Sequence, residues 1–164
     1  MSTTLYVPCD SAALSVGADE VAAAVARVAR ERKLDIEIVR NGSRGLFWLE
    51  PLVEVATPAG RLAYGPVNVD DVAGLFDAGL LSGGKHRLLL GPTEEIPYLK
   101  NQERVTFARC GITDPLSLSD YEAHAGFKGL KRALTMAPAE LTRSGGSMRS
   151  PLEVLTIRNA MRVG

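Results

Sequence analysis

The chain has 164 residues, 46% of them apolar, and its 19 basic and 19 acidic side chains cancel to zero net charge. That is enough for one ordinary domain with its own core plus roughly sixty residues of extension. Residues 1–80 hold 7 basic and 11 acidic side chains, 81–140 hold 8 and 7, and 141–164 hold 4 and 1; no basic patch is interleaved with aromatics, which sets nucleic-acid binding aside.

The two cysteines, Cys9 and Cys110, are 101 positions apart and fit neither a disulfide framework nor a paired metal clip. No apolar run approaches the roughly 18 to 20 residues of a membrane span, and no basic segment precedes an apolar one at the N-terminus. A reducing, cytoplasmic setting without membrane contact is the expectation.

In chain order, Thr4 to Val7 read as a short strand stopped by Pro8. "ADEVAAAVARVARERK" reads as a helix: Val21, Val25 and Val28 fall on one face, with Asp19 and Glu20 at its start and Arg30, Arg32 and Lys33 at its end to match the helix dipole. "LDIEIV" alternates Leu34, Ile36 and Ile38 with Asp35 and Glu37, the period of a half-buried strand. "LVEVATPAGRLAYG" reads as a hairpin turning at Pro58, Ala59 and Gly60. "NVDDVAGLFDAGLL" reads as a second helix, with Asn68 or Asp70 as cap and Val72, Leu75, Phe76 and Leu80 on its inner face.

The order β-α-β-β-β-α, with a crossover helix between two parallel strands followed by a hairpin and a closing helix, predicts an α/β, thioredoxin-like domain over residues 1–81. "SGGKH" breaks the pattern, and 82–115, punctuated by Pro92, Pro97 and Pro115, reads as a linker and extended arm that lies across something else. "SLSDYEAHAGFKGLKRALTM" predicts a short helical stretch capped by Ser117 or Ser119, with Tyr121, Leu130 and Leu134 as its apolar residues.

No catalytic constellation emerges. Cys9 lies where a thioredoxin fold carries its redox chemistry, but Ser11 and Ala12 occupy the positions of a resolving thiol, which favours a merely buried or half-buried residue. His86 and His124 have no partner at metal or acid–base spacing. "SGGKH" and "RSGGSMRS" lack the loop-to-helix context of a phosphate site.

Residues 90–134, "LGPTEEIPYLKNQERVTFARCGITDPLSLSDYEAHAGFKGLKRAL", resemble the segment leading into the flavin domain of NADH-oxidising subunits. Such subunits occur in respiratory complex I, bidirectional NAD-reducing hydrogenases and NAD-dependent formate dehydrogenases. The carrying elements are "RVTFARCGITDP" and the step Ala125, Gly126, Phe127, where that family has Gly-Gly-aromatic. With a thioredoxin-like domain in front, the chain looks most like the beta subunit of soluble, molybdenum-dependent NAD-linked formate dehydrogenases, and next most like the hydrogenase counterpart.

The resemblance implies several expectations. The complete subunit would carry FMN, NAD and a [4Fe-4S] cluster. Its partners would be a small [2Fe-2S] thioredoxin-like subunit and a molybdenum-containing alpha subunit. Arg104, Phe107, Arg109 and Asp114 would contact a partner surface, and 116–140 would begin the flavin-subunit region.

On the [2Fe-2S] pattern of C-x4-C and C-x3-C followed by Gly-Pro, Cys9 falls on the first ligand, Ala13 or Leu14 on the second, Ser43 on the third, Phe47 on the fourth, and Pro51 on the proline. One sulfur of four cannot hold such a cluster, so the site is expected to be degenerate, with Phe47 and Trp48 filling the vacated space. No cofactor is expected in this chain itself. Past Ala139 the family's glycine-rich FMN and NADH loop and its four cluster cysteines have no counterpart, and the basic stretch 141–164 reads as an atypical tail. A truncated product with an aberrant tail is the leading expectation, and a stand-alone, cluster-free binding module is the alternative.

Overall fold

The protein is described by a computed structural model covering residues 2–141. Within these residues the chain forms two compact units, 2–103 with 109–117, and 104–108 with 118–141. Of the tail read as atypical, 141–164, residues 142–164 with their "RSGGSMRS" lie outside the described residues.

In the first unit, strand β1 (Thr3–Tyr6) leads through a short helix α1 (Ser11–Ser15) into α2 (Ala18–Glu31) and back to β2 (Ile36–Val39). Strands β3 (Val53–Thr57) and β4 (Gly60–Tyr64) form the hairpin, and α3 (Asp71–Asp77) closes on it. With a fifth strand, β5 (Leu89–Pro92), the strands pair in the order β2-β1-β3-β4-β5, with β1 and β2 parallel and the other neighbours antiparallel. This is the thioredoxin-like layout that the order of elements implied.

Val21, Val25 and Val28 of α2 are buried against Leu5 and Val55 of the sheet in one apolar core, and full burial of each valine is worth about 1.5 kcal/mol or more. Gly17, at φ 95°, occupies the left-handed position that lets the chain enter α2. Val72, Leu75 and Phe76 of α3 and Leu80 beyond it join the same core, as their spacing implied. Neither capping residue is used as expected, however. Asp70 makes no side-chain cap bond; instead the Asp71 carboxylate, in the first turn of α3, accepts from the Asn68 backbone amide at 3.0 Å.

The 82–115 segment departs most from its expected form. Leu89–Pro92 is a fifth strand, β5, antiparallel to β4, and Pro97–Lys100 is a helical turn, α4. Four residues containing Gly91 and Pro92 are too few to show strand periodicity, and the open edge of β4 decides their conformation; proline is tolerated there because β5 is itself an edge. Ile96 and Leu99 then build a second, smaller core with Leu46, Leu52 and Ala63. Alternation along β4 places Ala63 opposite Leu62 and Tyr64, so this second core covers the other face of the sheet.

In the second unit, the single helical stretch expected from sequence is two short helices, α5 (Leu118–Ala123) and α6 (Lys128–Ala133). Ala125 at φ 63° and Phe127 at φ 57° interrupt them. Gly126 is required between, because a Cβ there would collide with Tyr121, whose ring meets Phe127 edge-on at 5.0 Å. Neither helix buries a residue; Leu118, Leu130 and Leu134 are exposed.

Candidate functional site: the loops after the first two parallel strands

The positions suggested by the cluster pattern lie on two loops that leave β1 and β2 side by side, joined by a hydrogen bond from the Cys9 amide to the Asn41 carbonyl at 2.9 Å. The Cys9 thiol is half-buried and contacts the Arg40 carbonyl at 3.6 Å. Burial pushes its pKa up; Arg40 opposes this, while Asp114, Asp10 and Asp19 add to it. The thiolate needed for metal ligation or redox attack is therefore disfavoured.

The residues after Cys9 are committed to helix. Asp10 accepts from the amides of Ala12 at 3.0 Å and Ala13 at 3.4 Å as the cap of α1. Ala13 is fully buried, whereas Leu14 is on the surface.

Ser43 donates its hydroxyl to Glu50 Oε1 at 3.0 Å and accepts from the Gly45 amide at 2.9 Å. Glu50 is buried, its other oxygen accepts from the Leu52 amide at 2.9 Å, and desolvation lifts its carboxyl above the usual range against both hydrogen bonds. Pro51 is buried, and its carbonyl accepts from the Val67 amide. Phe47 is 64% exposed and Trp48 59%, with Trp48 edge-on to Tyr98 at 5.1 Å. They do not fill the interior as expected, because Phe47–Leu49 is a 3-10 turn that carries them outward while Leu46 and Leu49 face the second core.

The interior beneath this loop is taken by charge. Arg44, 3% exposed, pairs side-on with Glu54, 1% exposed, at 3.0 Å from Nε and 2.9 Å from one terminal nitrogen. Its other terminal nitrogen reaches Glu94 at 2.7 Å. Burial works against the guanidinium charge, but Glu54 and Glu94 outweigh it and raise the pKa of Arg44. Thr93 donates to Glu54 at 3.3 Å, and Arg61 approaches it at 3.6 Å while stacking on Tyr6 with 3.3 Å to the ring centre. Sequence reading missed this network, although a single glutamate inside the apolar run "LVEV" marks a buried acid that needs a cationic partner.

Residues 109–113 lie across these loops. The Asn41 side-chain amide donates to the Gly111 carbonyl at 2.6 Å, and Arg61 donates to the carbonyls of Gly111 at 3.1 Å and Ile112 at 2.7 Å. Gly111, at φ 77°, sits on Arg44; a Cβ there would collide with Arg44 Cδ and lie 2.8 Å from Cγ.

The residues named as partner contacts are split between the units. Arg109 and Asp114 belong to the first. The Arg109 carbonyl accepts from the amides of Ile112 and Thr113, and the Asp114 side chain accepts from the Leu116 amide at 2.8 Å. Arg104 and Phe107 belong to the second unit, and Phe107 is 64% exposed.

The four ligand positions therefore present one thiol, a methyl or leucine, a serine engaged with Glu50 and an exposed ring, a donor set that does not fit a [2Fe-2S] cluster. Among the described residues no group of three or more His, Cys, Asp and Glu side chains is arranged to hold a metal ion, and no helix is long and apolar enough to cross a membrane.

No protein-family model matches the chain. A 42-residue segment is 48% identical to the NADP-reducing hydrogenase subunit HndC of Solidesulfovibrio fructosivorans; it makes up 26% of this chain and only 9% of that protein's length. The thioredoxin-like [2Fe-2S] ferredoxin from Aquifex aeolicus is similar at 22% identity and TM-score 0.46, over 55% of this chain and 97% of the ferredoxin. A cysteine-to-serine variant of that ferredoxin is similar at 23% identity and TM-score 0.46, over 54% of this chain and 98% of its own. In sequence this chain is thus similar, over a short segment, to a hydrogenase subunit; in architecture it is similar to thioredoxin-like [2Fe-2S] ferredoxins.

Proposed function

We propose that the chain is the N-terminal part of an electron-transferring subunit in a cytoplasmic NAD(P)-linked oxidoreductase complex, with the first unit acting in docking and assembly. The observation that carries this reading is the 48% identity over 42 residues to a hydrogenase subunit. The loop chemistry supports the docking role: beneath the loop on which two of the cluster ligands would fall, the first unit is stapled by the buried Arg44–Glu54 pair. The exposed apolar side chains of the second unit, among them Phe107, Leu130 and Leu134, suit burial against further protein.

Within that reading the beta subunit of a soluble formate dehydrogenase comes from the resemblance of residues 90–134, with FMN, NAD and a [4Fe-4S] cluster on the complete subunit. Its partners would be the small [2Fe-2S] and molybdenum-containing subunits. The hydrogenase counterpart is favoured by the name of the curated relative. In either case electrons would reach NAD(P)+ as hydride through the flavin of the complete subunit, beyond the residues of this chain.

Affinity isolation of the chain from its native cells tests this. Copurifying flavoprotein that reduces NAD(P)+ with formate supports the first version, and with hydrogen the second. Recovery of the chain without flavin-, molybdenum- or hydrogenase-bearing protein would leave a free-standing binding module instead.

A further inference from the structure

Within 109–117 only Gly111 is buried, and the remaining residues are half-buried or exposed. Asn41 and Arg61 donate hydrogen bonds across to the carbonyls of Gly111 and Ile112 in this segment. An element with little apolar burial opens at a lower free energy than the core beneath it.

The closed arrangement is also chemically incomplete. Asn41 is 2% exposed and commits its NH2 group to Gly111, while its Oδ1 is buried without a hydrogen-bond partner, a cost that hydration in an open state relieves. What the segment covers is polar: Arg44 on its buried pair with Glu54, beside the loop that holds Cys9.

We infer that residues 109–113 form a glycine-keyed latch that opens independently of the sheet and, on opening, exposes the Arg44–Glu54 pair and the loop ends after β1 and β2. Gly111 is the key because only a residue without Cβ, at φ 77°, can seat on the Arg44 side chain. Asn41 and Arg61 are the catches. The latch does not depend on the electron-transfer reading, since it concerns this chain's own contacts.

Hydrogen–deuterium exchange on the full chain at neutral pH tests it, comparing the parent with Gly111→Ala and Asn41→Ala. Peptides spanning 109–117 are expected to exchange at least tenfold faster in Gly111→Ala, and faster by a smaller factor in Asn41→Ala, with peptides from β1, β3 and β4 unchanged. Unchanged exchange of 109–117 in both variants overturns the latch. So does acceleration that runs in step with β1 and β3, because the segment would then be part of one cooperative unit. If Gly111→Ala fails to fold, Asn41→Ala decides by the same two criteria.

Discussion

Replacing Arg44 by methionine keeps most of the side-chain stem but removes the guanidinium from Glu54, which is 1% exposed. Two charge-assisted hydrogen bonds, at 3.0 and 2.9 Å, are lost from that carboxylate. Breaking a buried ion pair by deleting one partner costs about 3–5 kcal/mol, because the other charge stays buried. Arg61 at 3.6 Å and Thr93 at 3.3 Å still serve Glu54, which places the expected loss near the lower end, about 3 kcal/mol. For a domain of this size that lowers the melting temperature by roughly 12 °C or more. Adding Glu54→Gln removes the stranded charge, so the double variant should be more stable than Arg44→Met alone. Urea and thermal melts followed by circular dichroism on the parent, both singles and the double give the coupling directly. A single-variant loss below about 1 kcal/mol, or a double that simply adds the two singles, would refute the idea that this pair closes the interior of the loop.

Other outcomes follow from the same contacts. Burial raises the Glu50 carboxyl above its unfolded value, so the folded state holds a proton that the unfolded state has released. Stability should fall as pH rises from about 4.5 through the raised pKa, and Glu50→Gln should flatten that slope in urea melts across pH; a slope that persists in the variant assigns it to another group. Iodoacetamide at neutral pH should label exposed Cys110 well before Cys9, whose thiol is half-buried and raised by desolvation, as read by peptide mass spectrometry; equal rates would contradict the Cys9 environment. Ala125 holds φ 63°, a left-handed conformation that costs a residue with a Cβ about 1–2 kcal/mol, so Ala125→Gly should stabilise the second unit by up to about 1 kcal/mol after the entropy cost of glycine. A destabilised Ala125→Gly in thermal melts would mean that the turn between α5 and α6 takes another form.

The period-3.6 valines of α2, the alternation of β2 and the Pro58-Ala59 turn were legible because each is a local pattern that sterics and burial enforce within about fifteen residues. So was the absence of a sulfur set at the cluster spacing, since ligand chemistry is a property of residue type. The outward turn of Phe47 and Trp48 was not legible. An apolar pair beside a vacated site reads as filler until Leu46 and Leu49 are seen to take the inward positions.

By itself, then, the sequence determined the β-α-β-β-β-α order of the first eighty residues, the parallel β1–β2 crossover and a loop unable to hold four thiolates, because these follow from periodicity, chain connectivity and side-chain chemistry. Only the tertiary structure decided that residues 89–92 complete the sheet, that Arg44 and Glu54 meet across ten positions, and that Gly111 closes over them from sixty-seven residues beyond Arg44. The physical reason is that an edge strand and a glycine contact are defined by a partner distant in the chain, while the ion pair, though only ten positions apart, is set by how the loop and β3 fold together and follows no residue periodicity.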